Sequence, residues 1–136
     1  MAATFDVVIL SADRQLYSGQ SISVVAPGIS GSFGVLRGHV PMVTALQTGE
    51  LVITDEDENI KRFAISGGFI EITAEKTLVL ADSAELAENI DIERARRAHE
   101  RALERLNTGE HEINIERARL SMLRALNRMK IVEKNM

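Results

Sequence analysis

At Asp91 the periodicity of this chain changes, and the change divides it. Upstream, FDVVIL, SISVVA, ELVIT, RFAIS, FIEIT and TLVLA are short runs rich in Val, Ile, Phe and Thr, bounded by Gly, Asp, Asn or Ser. Their recurrence at intervals of about 8 to 12 residues predicts an all-β sandwich or barrel. Downstream, Ala95, Ala98, Ala102 and Leu106 follow i, i+3, i+4 spacing, with Leu103 beside them. Ile115, Ala118, Met122, Leu126 and Met129 repeat that pattern, with Ala125 alongside. Asn107, Thr108 and Gly109 stand between the two stretches, where Gly is a common helix stop. Two amphipathic helices so briefly joined predict an antiparallel hairpin. The expected fold class is therefore α+β: an N-terminal β-sandwich of about ten short strands over residues 1–84, then a two-helix hairpin over 85–136.

Composition follows the same division. Residues 1–84 carry 5 Lys and Arg against 10 Asp and Glu, net -5; residues 85–136 carry 11 against 10, net +1, and nine of those eleven cations are Arg. Eight of the nine Gly and both Pro lie in the first 84 residues, punctuating them too often for a helix of useful length. Apolar residues make up 45% but aromatics only 4%, so the core has to be aliphatic. The absence of Cys excludes disulfides and thiolate metal sites and fits a reducing cytoplasm. MAATFDVVIL lacks a basic n-region and reads as a strand rather than a signal peptide. No stretch approaches the roughly 20 apolar residues of a membrane span, so membrane association is expected to run through a partner.

In the first segment, ELVITDEDENIKRFAIS reads as a hairpin tipped by DEDEN. GISGSFGVLRGHVPMV (28–43) is unusually rich in Gly. A P-loop would need GxxxxGK followed by Ser or Thr, and a dinucleotide fingerprint would need GxGxxG between a strand and a helix; neither is present. These glycines are expected at bulges and tight turns. His39, His99 and His111 have no ligand spacing, and His39 reads as a hydrogen-bonded turn residue. There is no nucleophile elbow and no HExxH helix, so an enzyme is the weaker alternative.

The second segment contains an echo: IDIERAR at 90–96 nearly recurs as INIERAR at 113–119. Asp91 and Asn114 stand where an N-cap belongs, and Glu93 and Glu116 add negative charge near the positive end of each helix dipole. On a helical wheel Arg94, Arg101 and Arg105 fall on one stripe, and Arg117, Arg124 and Arg128 on another. Such runs are commonly solvated faces. Arg rather than Lys, however, suits planar recognition of phosphate or carboxylate. Polyphosphate and an acidic partner surface are both open readings. Interleaved Glu and a pI near 5.4 argue against nucleic acid.

Taken together, GSFGVLRGHVPMV (31–43), ISGGFIEI (65–72) and IDIERA (90–95), in this order and spacing, resemble the epsilon subunit of bacterial F-type ATP synthase. The first is similar to that family's glycine-rich segment ending in GHxP, the second to its second signature, and the third to its IDxxRA nucleotide-binding motif. The resemblance covers the whole chain. It implies a non-catalytic rotor subunit, peripheral on the cytoplasmic side of a bacterial cell membrane. The sandwich would clamp the gamma subunit, with its lower end, near His39, at the c-ring. The hairpin would have two states. Extended into the catalytic head, its basic residues would meet the beta (and alpha) subunits and stop ATP hydrolysis; folded down, it would permit turnover, with ATP as a regulatory ligand in some members. Carried over by position, the ATP contacts would be Glu85, Asp91, Arg94, Arg101, Arg124 and Arg128. The resemblance implies no metal, no catalytic cofactor and no nucleic acid. A free-standing nucleotide-sensing module is the alternative.

Overall fold

Seven strands and two long helices make up the protein in a computed structural model that describes residues 3–108 and 112–135, the side chains of 112–114 excepted. They form two compact units, Met1–Leu86 and Ala87–Met136. The sheet thus runs through Glu85 and Leu86, which belong to its last strand.

The strands of the first unit are β1 (Phe5–Ser11), β2 (Arg14–Gly28), β3 (Gly31–Val35), β4 (Met42–Asp55), β5 (Ile60–Ile72), β6 (Lys76–Ala81) and β7 (Ala84–Leu86). The pairing order is β1-β6-β5-β4-β2-β3, with β7 on β5, and β1 also pairs with β2. That extra pairing closes one side into a barrel-like wall and leaves no free edge there. All neighbours are antiparallel except β1 and β6. The interior is aliphatic, as the composition demands: Val7, Ile9, Val24, Leu51, Ile53, Ile65, Ile70 and Val79 are fully buried.

There are seven strands rather than about ten because glycines read as strand ends lie inside strands. RFAIS and FIEIT are one 13-residue strand, β5, that passes through Gly67 and Gly68 at φ 91° and 116°. Across that pair β5 exchanges one neighbour, β7, for another, β6. No other residue fits at Gly68: an added Cβ would lie 2.1 Å from the Leu80 carbonyl oxygen. The β4–β5 hairpin has the acidic tip expected of DEDEN. Its turn is organised by Asp55, whose Oδ1 accepts the N–H groups of Asp57 and Asn59, each at 2.9 Å. His39 is a turn residue, its Nδ1 2.7 Å from the Val40 carbonyl.

The second unit opens with a single 3-10 turn, Ala87–Asn89, followed by α1 (Ile92–Thr108) and α2 (Glu112–Asn135). Gly109, the expected stop, lies outside the described residues. The helices pack on one another along alanines: Ala95 and Ala102 on α1, Ala118 and Ala125 on α2 are all buried. Each pair is spaced by seven residues, and Ala102 and Ala118, like Ala95 and Ala125, are equidistant from the link. Buried alanines thus line both helices where they pack. The expected Met and Leu residues of α2 lie beside these alanines, and Met122, Leu126 and Met129 are half-buried. Methyl groups let two helix axes approach closely, but bury little area. Among the described residues no helix is long and apolar enough to cross a membrane.

Candidate functional site

Two features of this fold can recognise something outside it: the arginines of the hairpin and the outer wall of the barrel. The arginines depend on where α1 starts. Asp91 precedes the helix, its Oδ1 accepts the N–H of Arg94 at 3.1 Å, and its carbonyl accepts the N–H of Ala95 at 3.0 Å. It is therefore the N-cap, and it sets Arg94 in the first turn.

The echo in the sequence is also an echo in structure, though at different atoms. Glu93 and Arg96 form an i, i+3 ion pair at 2.6 Å, and Glu116 and Arg119 form the same pair at 3.0 Å. Both pairs are exposed, and at that exposure each contributes at most a few tenths of a kcal/mol. The two helix starts differ, however. Because α2 begins at Glu112, Asn114 lies within its first turn instead of capping it. The Asn114 side chain lies outside the described residues.

The six residues carried over as ATP contacts are distributed as follows. Glu85 is on β7, opposite Ala64, in the β unit. Asp91, Arg94, Arg101, Arg124 and Arg128 are in the helical unit. Arg94 stands in the first turn of α1, and Arg124 and Arg128 stand four residues apart in the C-terminal half of α2. Arg94 is exposed; Arg124 and Arg128 are half-buried, and one Arg124 guanidinium nitrogen donates to Ser121 Oγ at 3.3 Å. Their planar guanidinium forks suit phosphate oxygens. Arg101 is two turns further on, roughly 10 Å along the axis. It lines an open groove of about 390 Å³ with Glu104, Arg105 and Thr108. The structure therefore brings Arg101 and Arg105 to one groove.

The outer wall of the barrel was not foreseen as a site. Ala45, Phe69, Leu80 and Leu10 are successive cross-strand neighbours on β4, β5, β6 and β1. One row over, Val43, Glu71, Leu78 and Val8 repeat the arrangement. All point away from the core, and Val43, Phe69 and Leu80 are 65%, 55% and 46% exposed. A single charge, Glu71, interrupts this apolar face. Its signal was in plain view: FDVVIL and TLVLA are nearly continuous apolar runs, whereas a strand with one wet face alternates.

Comparison with known proteins bears on both features. The family model described as ATP synthase, Delta/Epsilon chain, beta-sandwich domain matches residues 4–87, and that described as ATP synthase, Delta/Epsilon chain, long alpha-helix domain matches residues 88–133. An ATP synthase epsilon chain of Brevibacillus brevis is 42% identical over 100 residues, spanning 74% of this chain and 76% of that relative. An ATP synthase epsilon chain of Moorella thermoacetica is 41% identical over 104 residues, 76% and 78% of the two chains. A chain in the cryo-EM structure of the Euglena gracilis mitochondrial ATP synthase, OSCP/F1/c-ring, superposes with a TM-score of 0.81 over 99% of this chain and 82% of that one. At 23% identity this last likeness is one of fold.

Proposed function

This chain belongs to the delta/epsilon-chain family of ATP synthase, as an epsilon chain, and from that premise we propose that it acts as a non-catalytic rotor subunit. Its β unit fastens to the gamma subunit and the c-ring, so that it reaches the cytoplasmic face of a bacterial membrane only through the complex. Its hairpin restrains ATP hydrolysis by engaging the beta and alpha subunits, and ATP favours the closed hairpin.

The observation that carries the docking reading is the apolar outer wall. A contiguous apolar face, open to water on a small unit, marks a protein interface. The regulatory reading rests on the alanine seam. A hairpin joined through methyl groups is held by only a few kcal/mol, within reach of ligand linkage: a ligand at ~100 times its dissociation constant adds about 2.7 kcal/mol to the state that binds it.

Reconstitution tests the docking. An ATP synthase complex lacking this chain is supplied with the natural protein or with F69E/L80K, and gamma and c-ring are recovered through a tag on the added chain. Recovery with the natural protein and its loss with a folded F69E/L80K is expected. Undiminished recovery with the variant would overturn the assignment of this face. No recovery with either would favour the free-standing sensor.

A further inference from the structure

Met122 and Met129 follow Ala118 and Ala125 by four residues each, so the four side chains share one stripe of α2. That stripe carries the seam with α1. Both methionines are half-buried, whereas Met42, at the start of β4, is 37% exposed. The chain has no Cys, so an oxidant of soft sulfur meets only methionine.

We propose that Met122 and Met129 form a reversible oxidation site through which hydroperoxides loosen the hairpin. The thioether sulfur attacks the peroxide oxygen; the O–O bond breaks and an S–O bond forms. Sulfur is oxidised by two electrons, and the peroxide, reduced by the same two, leaves with a proton as water or an alcohol. The product is a polar, chiral sulfoxide on what was a flexible apolar side chain. Its oxygen needs water or a donor, so the side chain is drawn toward solvent and away from the alanine methyl groups. In a large aliphatic core one such change would be a minor loss. Here, among the described residues, the buried side chains of the two long helices are Ala95, Ala102, Ala118, Ala125 and Ile131, so the hairpin has little apolar contact to lose. Thiol-dependent sulfoxide reductases, one for each epimer, return the oxygen as water and restore the thioether. The argument is independent of the docking and ATP readings, since it concerns only the stability of the helical unit.

The test is a hydrogen peroxide titration of the full chain, with each methionine followed by mass spectrometry and the helical transition by circular dichroism. Met42 sulfoxide forms first, without effect on that transition. Sulfoxide at Met122 and Met129 lowers its midpoint by at least about 4 °C, the shift of roughly one kcal/mol on a unit of this size. M122L/M129L, a volume-conserving change, keeps its midpoint under the same dose. Reductase treatment of the oxidised natural protein recovers it. Should M122L/M129L not fold, M42L serves instead: it must lose stability with the dose as the natural chain does. An unchanged transition with both seam methionines oxidised would overturn the proposal. So would an equal loss in M122L/M129L, or a failure to recover on reduction.

Discussion

The carboxylate of Asp91 and the backbone N–H of Arg94 are joined at 3.1 Å, one short polar side chain satisfying a donor that α1 leaves open. Replacing Asp91 with Ala removes that acceptor and should lower the stability of the helical unit by about 0.5–2 kcal/mol. Asp91→Asn, an equally good cap, should restore most of it. Helical melting curves of the two variants check the prediction; equal losses in both would show that the charge, rather than the cap, is what matters.

Arg94 and Arg124 come from different helices, and ATP held by the hairpin would have to draw on both. If ATP binds there, R94A/R124A should reduce binding at least tenfold in calorimetry while the β unit melts as before. Arg105→Ala, on the other groove, should change affinity less. Undiminished ATP binding by R94A/R124A would remove the site assignment.

Two glycines separate backbone requirement from mere presence. At Gly68 an added Cβ meets the Leu80 carbonyl oxygen and φ is 116°, so Gly68→Ala should destabilise the barrel by roughly 2 kcal/mol or more. At Gly34 nothing lies within 4 Å of an added Cβ, and Gly34→Ala should be close to neutral. Chemical denaturation of both variants checks this contrast.

Ala118, on α2, is fully buried. Ala118→Leu adds three carbons where two helices meet through methyl groups, and overpacking of this kind costs about 1–3 kcal/mol. Each helix should keep its intrinsic propensity while their mutual packing is lost. The readout is hydrogen exchange: protection in α1 and α2 should fall while that of the barrel is kept.

Much of this was legible in the residues. The change of period at Asp91, the cap at its side chain and the DEDEN hairpin all follow from local chemistry, which acts over a few residues and leaves its mark in them. Features set by distant partners were harder to read. Gly67 and Gly68 look like a strand end, and only the arrival of β6 on one side and β7 on the other shows why a strand runs through them. Asn114 resembles Asp91, yet α2 starts two residues earlier. The burial of Ala118 and Ala125 ahead of their larger neighbours reflects α1 lying close, which no pattern within α2 records. Of the proposed ATP contacts, the wheel groups Arg94 with Arg101, whereas the groove that Arg101 lines is shared with Glu104, Arg105 and Thr108.

The apolar outer wall has one further consequence, for how the strands find their alignment. Where one face of a sheet is wet, a slip of one residue exposes the core side chains and is strongly opposed. From Val7 to Leu10 on β1 and Leu78 to Ala81 on β6, both faces are apolar, so a slip would exchange one greasy face for another. Burial barely distinguishes the right alignment from the wrong one along these two strands. The discrimination has to come from a position that tolerates no displacement, and Gly68, pressed against the backbone of Leu80 and Ala81, is such a position.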